Sequence, residues 1–170
     1  DYALMTFSSN GFINFLDSFA NSLLLHFDIC SLQKRKKILN TLNRRLSMQE
    51  IKVLPAFWPP ITSKDTTYWK ILQMNSLFEF RNKPYHYHNG GLWPLIQGFF
   101  ISGVVNSGTR TLAKKYLEEF ADALEEDNYS FHEYFESKKN KPRGVKGLGF
   151  SAAGYIVAYN SVIKNKRAFN

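Results

Sequence analysis

The chain has 170 residues, 44% of them hydrophobic and 16% aromatic, which suits one domain with a substantial core and excludes a disordered tail. Its single cysteine, Cys30, excludes an internal disulfide framework and a Cys-rich zinc module; it fits a reducing compartment, and a cytoplasmic location is expected. The formal charge of +8 invites a nucleic-acid reading, but the charge is banded: residues 118–136 carry acidic groups and neither Lys nor Arg, between basic flanks.

Along the chain, Phe12, Phe15, Leu16, Phe19, Leu23 and Phe27 recur at spacings of three and four, predicting a helix within 12–29 whose regular part starts at Asp17 or Ser18. Ser31 is the expected N-cap of a second helix, in which Leu32, Ile38, Leu39, Leu42 and Leu46 form the apolar side. Lys34, Arg35, Lys36 and Lys37 fall largely outside that stripe and read as a solvated face, since the run lacks the interleaved aromatics of a nucleic-acid patch. The two helices and their short turn form an antiparallel hairpin.

From Ile51 to Asn89 four prolines, Pro55, Pro59, Pro60 and Pro84, interrupt regular structure, leaving room for one short helix within Thr66–Phe80. A loop this long and this rich in Trp, Tyr, Phe and His is expected to carry function. A nearly all-apolar helix follows over Leu92–Ser107, and its length and its interruptions by Gly, Pro and Gln exclude a membrane span. Gly108 stops it, and Thr109 caps the next helix, which runs to about Glu125 with Leu112, Tyr116, Phe120, Ala123 and Leu124 buried. A polar loop reaches Gly149, and Ser151–Ile163 reads as the last helix, with Tyr155, Ile156, Tyr159 and Val162 on related faces.

Two stretches can carry chemistry. In Asn82-Lys83-Pro84-Tyr85-His86-Tyr87-His88-Asn89-Gly90-Gly91-Leu92-Trp93-Pro94, hydrogen-bonding groups alternate with aromatic planes, as a sugar's hydroxyls and C–H face require. In Phe131-His132-Glu133-Tyr134-Phe135-Glu136, a carboxylate stands among aromatics that can tune it for acid or base work. His86, His88 and His132 are weighed as a zinc site, but their spacing lacks HExxH logic, so neither a metal nor another cofactor is expected. His26 reads as a packed or half-exposed histidine, and there is no P-loop and no GxSxG elbow.

The first stretch resembles the Tyr-His-Asn-Gly-Gly-x-Trp-Pro signature of the six-hairpin glycoside hydrolases, specifically the alkaline/neutral invertase family and its bacterial amylo-alpha-1,6-glucosidase (glycogen-debranching type) relatives. The second is similar to that family's Trp-Pro-Glu-Tyr-Tyr-Asp or Phe-Asn-Glu-Trp segment. Phe15-Leu16-Asp17-Ser18-Phe19-Ala20-Asn21-Ser22, Trp58-Pro59-Pro60 and Ser151-Ala152-Ala153-Gly154-Tyr155 add to the resemblance in the same order.

The resemblance implies an all-α (α/α)6 barrel and an inverting mechanism with two carboxylic acids, Glu133 matching the general base. It also implies that Tyr87, His88 and Asn89 bind hydroxyls, that Trp93 and Tyr134 form walls, and that the general acid lies in an earlier part of the barrel. About five helices are legible where the barrel needs twelve, and the chain begins at Asp1. Residues 1–170 are therefore expected to be the C-terminal part of a single catalytic domain, whose open helix faces pack on the rest of the barrel or self-associate.

Where relatives carry Gln-x-Trp-Ser, this chain has Leu148-Gly149-Phe150-Ser151, losing an amide and an indole. The expected activity is hydrolysis of a glucosidic bond in a small sugar or α-glucan of the sucrose/α-glucoside class. The competing expectation is a non-catalytic carbohydrate-binding or helical scaffold fragment. The expected partner is carbohydrate, with no nucleic acid and no membrane.

Overall fold

The computed structural model describes residues 2–8, 11–74, 76 and 78–166. It is helix-rich, with two small sheets that the all-α expectation did not include. Strands β1 (Leu4–Ser8) and β2 (Gly11–Asp17) pair antiparallel with Thr6 opposite Ile13, and β3 (Phe57–Trp58) pairs on the far side of β2, with Leu16 opposite Trp58. The segment from Phe12 to Leu16, expected to begin a helix, is therefore a strand, which pairs with the neighbouring β1 on one side and with the distant β3 on the other.

Helix α1 (Ser18–His26) starts where the sequence places it: the Asp17 side chain accepts from the backbone N–H of Ala20 at 2.9 Å. Helix α2 (Leu32–Ser47) is capped by Ser31 as expected and buries Ile38, Leu42 and Leu46. Its basic run is not wholly a solvated face. Arg35 pairs with Asp28 and donates from Nη1 to the Asn106 carbonyl at 3.1 Å, fastening α2 to the end of a later helix.

The proline-rich stretch holds one short helix, α3 (Tyr68–Met74); the other end of its expected range includes Asn75 and Leu77, which lie outside the described residues. Helix α4 (Pro94–Asn106) buries nine of its thirteen residues, as an apolar helix without a polar face must. Helix α5 (Arg110–Glu126) buries Tyr116, Leu117, Phe120 and Leu124, and burial pushes the Tyr116 phenol up to about 12. Thr109 stands at its N-cap, but its hydroxyl donates back to the Val104 carbonyl instead of capping. Strands β4 (Tyr134–Glu136) and β5 (Lys141–Arg143) form a hairpin before helix α6 (Gly149–Val162).

Helix α4 lies between α1 and α6, and both contacts use small residues. Gly98 on α4 packs against the backbone of Gly154 on α6, so close that a Cβ on either glycine would overlap the opposite chain. On the other side Gly103 takes the Cβ of Leu25. The interior is joined by a hydrogen-bonded chain from three helices: His26 Nδ1 to Ser102 Oγ at 2.8 Å, and Ser102 Oγ to Ser161 Oγ at 2.7 Å.

This packing shifts two expected stripes. Helix α1 buries Ser18, Asn21, Ser22, Leu25 and His26 and packs Phe19 on the core while Phe27 is exposed; α6 buries Ser151, Gly154, Ala158, Ser161 and, as expected, Val162, while Ile156 and Tyr159 face outward. Close approach of backbones selects small side chains for the contact and sends large apolar ones to the other face.

Candidate active site

The two motif segments meet through their backbones. The Leu92 N–H donates to the Phe135 carbonyl at 2.9 Å and the Phe135 N–H returns to the Leu92 carbonyl at 2.8 Å, a one-pair bridge that sets the 82–94 loop against β4. A third segment flanks it: Ala56 N–H donates to the Gly91 carbonyl and Trp93 N–H to that of Leu54. Gly91 is required here, since a Cβ would collide with the Tyr87 carbonyl oxygen and the Tyr134 ring.

The loop is tightly specified. Asn89 is fully buried; its Oδ1 accepts from Ile61 N–H at 2.7 Å, and its Nδ2 donates to the carbonyls of Ile61 at 2.8 Å and Asn82 at 2.9 Å. It ties the loop to the proline-rich stretch, and those bonds occupy its amide. Trp93 donates from Nε1 to the Tyr87 carbonyl at 3.0 Å. Tyr85 and Tyr87 both have positive φ, 71° and 45°, a conformation non-glycine residues hold only when their surroundings enforce it.

The aromatic side chains form one stack. His88 lies over Trp93 with ring centroids 4.9 Å apart, Trp93 over Tyr134 at 5.9 Å and an interplanar angle of 18°, and Tyr87 abuts all three. Burial lowers the His88 pKa from its ordinary 6.5, against the opposing pull of Glu133 first and Asp17 second. Burial raises the Tyr134 phenol and lowers His86, the latter against Glu136 and with help from Arg143 and Lys83.

Glu133 is held from both sides of its peptide. Asp127, at the end of α5, accepts from His132 N–H at 3.0 Å and bonds its Nδ1 at 2.6 Å; Ser151, opening α6, donates to the His132 carbonyl at 2.7 Å. Glu133 N–H donates to the Val145 carbonyl at 2.9 Å, while among the described residues its own carboxylate accepts one long bond, 3.3 Å, at Oε2 from Val145 N–H. The half-exposed carboxylate opens on a cleft of about 370 Å³ with Arg81, Lys83, His86, Tyr87 and Tyr134. Gly144, at φ 75°, lies against this carboxylate, which a Cβ there would displace. Glu136, by contrast, is buried and accepts from the N–H groups of Lys138 and Lys139, so it closes the β4–β5 turn.

The structure thus brings Glu133, Tyr87, His88, Trp93 and Tyr134 together and places Asn89 behind them as a tie. His132, engaged by Asp127, stands apart from His86 and His88, and no group of three metal-ligating side chains occurs among the described residues. Phe150, where relatives carry Trp, is exposed. Sequence reasoning missed Arg81, Lys83 and His86 as cleft residues.

The described helices match part of the six-hairpin glycosidase fold. A glycoside hydrolase family 63 mannosylglycerate hydrolase from Thermus thermophilus, solved with glucose, superposes with a TM-score of 0.62 at 19% identity, over 88% of this chain and 32% of that one. The alkaline and neutral invertase family model matches residues 12–165, and the chain belongs to that family. It is 28% identical over 112 residues to Alkaline/neutral invertase C, mitochondrial, of Arabidopsis thaliana, covering 64% of this chain and 16% of that protein. It is 33% identical over 79 residues to Neutral/alkaline invertase 1, mitochondrial, of Oryza sativa subsp. japonica, covering 45% and 12%. The chain therefore spans less than a fifth of the length of these relatives.

Proposed function

We propose that this chain supplies the base-bearing part of a glycoside hydrolase that cleaves the glucosidic bond of a small neutral sugar, sucrose or an α-glucan end, with inversion. The observation that carries the reading is the Leu92–Phe135 bridge, which puts the His88–Trp93–Tyr134 stack beside a carboxylate that, among the described residues, accepts one weak hydrogen bond. Glu133 takes a proton from a water as that water attacks the anomeric carbon. An acid from the earlier part of the domain protonates the departing oxygen on the opposite face. Tyr87 and His88 orient hydroxyls, Trp93 and Tyr134 wall the ring, and Asn89 is a positioning residue.

Residues 1–170 form part of one catalytic domain in this reading. Its remaining hairpins cover the outward apolar side chains of α6, Ile156, Tyr159 and Ile163. We place the enzyme in the cytoplasm, which fractionation with an antibody to the chain tests. The test of function is Glu133→Gln in the intact protein: turnover of sucrose or maltooligosaccharides is expected to collapse with folding unchanged, and undiminished turnover overturns the assignment.

A further inference from the structure

One buried carboxylate has no part in the reaction as drawn. Asp127 ends α5 directly after Glu125 and Glu126, its side chain is 1% exposed, and no basic residue in the last turn offsets the three acids. A helix C-terminus is the negative end of the helix dipole, so an acid buried there is unfavourable unless something else requires it.

What requires it is the approach to Glu133. Both Asp127 oxygens go to one residue: Oδ2 accepts from the His132 N–H and Oδ1 meets the ring Nδ1. They close a ring over residues 127–132 in which Asn128, Tyr129 and Phe131 all have positive φ, of 50°, 49° and 49°. Of the three only Asn enters the left-handed region readily, and Tyr129 is 55% exposed, so burial does not keep it there. Such a run persists only where its ends are held. One end is the Asp127–His132 tie; along the other side the loop before α6 donates from Gly147 N–H to the Ser130 carbonyl and from Leu148 N–H to that of Phe131, each at 2.9 Å. Glu133 leaves this run with its direction already set.

Resting on the reading of Glu133 as the base, we propose that Asp127 is a positioning residue for the reaction. By engaging both donors of His132 it holds the left-handed run in shape and keeps the Glu133 carboxylate aimed at the water it deprotonates. Asp127 does not line the cleft, and it acts only through the backbone that leads to Glu133. The aromatic groups read as sugar contacts, Tyr87, His88 and Trp93, stand on a different segment. Loosening the tie therefore spoils the alignment of the base without removing what binds the sugar, which is a loss in kcat and not in KM.

Steady-state kinetics of the intact protein on sucrose or a maltooligosaccharide, run well below the thermal midpoint of every variant, test this. Asp127→Ala removes both bonds and should lower kcat about 10- to 100-fold with KM held within about threefold. Asp127→Asn and His132→Ala each keep one of the two bonds and should fall between Asp127→Ala and the unsubstituted protein; they carry the test if Asp127→Ala folds poorly. A purely structural tie lowers the thermal midpoint and leaves kcat of the folded protein unchanged, and that result overturns the proposal, as does a loss expressed in KM alone. Glu133→Gln separates the two readings. Undiminished turnover there removes the base itself, whereas collapsed turnover there with unchanged kcat in the Asp127 and His132 variants removes only the positioning role.

Discussion

The two motif segments look alike in composition but are built for different work. In the 82–94 loop the Asn89 amide is occupied by Ile61 and Asn82, the Trp93 indole by Tyr87, and the Gly91 backbone by Ala56 and Tyr87, while the side-chain oxygen of Asn82 is buried without a partner. The 131–136 segment also anchors its flanks, through Asp127 and Ser151, but leaves its central carboxylate with one long bond and a cleft in front of it. A dense run of hydrogen-bonding residues can therefore be scaffold, and in the proposed function the reactive group is the carboxylate that the scaffold leaves underused.

The contrast can be broken most decisively by paired substitutions. Glu133→Gln should lower turnover roughly 10³-fold or more with little change in unfolding free energy. Asn89→Ala should do the reverse in kind, costing about 2–4 kcal/mol in urea unfolding, because it strands a buried N–H and two buried carbonyls. If Asn89→Ala leaves stability intact and abolishes sugar binding, the division between tie and reactive group fails.

Gly98→Ala probes the scaffold beneath both segments. The added methyl overlaps the Gly154 backbone, so about 1–3 kcal/mol should be lost in thermal or urea unfolding. Trp93→Phe removes one hydrogen bond while keeping an aromatic plane, and about 1 kcal/mol is expected by the same measurement.

The smallest effect is in pH. His88 has a folded pKa below its ordinary 6.5, so the unfolded chain takes up the proton first. Its contribution is fully present above about pH 6.5 and is lost as the solution is acidified; His86 acts in the same sense. Urea midpoints measured from pH 7 to pH 5 should fall less steeply in His88→Asn than in the unsubstituted chain.

Legibility in the sequence followed how local the cause was. Helix α2 announces itself because Ser31 caps it and Ile38, Leu42 and Leu46 repeat on one face, all within one segment. Helices α1 and α6 announce their extents but not their buried sides, which are set by Gly103 and Gly98 of a helix far away in the chain through close approach to Leu25 and Gly154. Strand β2 was hidden for the same reason, its partners Leu4–Ser8 and Trp58 lying outside the window that made it look helical. At the site, Glu133 and the aromatic stack were legible from the motifs. The occupation of Asn89 was not, because it depends on Ile61, 28 residues earlier.

The His26–Ser102–Ser161 chain has a dynamic consequence. Ser102 is the middle link, so neither α1 nor α6 can leave α4 without exposing a broken bond in an apolar interior. The three helices should open as a single cooperative unit. Their slowest amide protons would then exchange with a common opening free energy, while those of α3, which buries none of its residues, exchange far faster. Helix α3 can breathe on its own, while the layer whose central helix begins just after Trp93 moves only when the whole interior does.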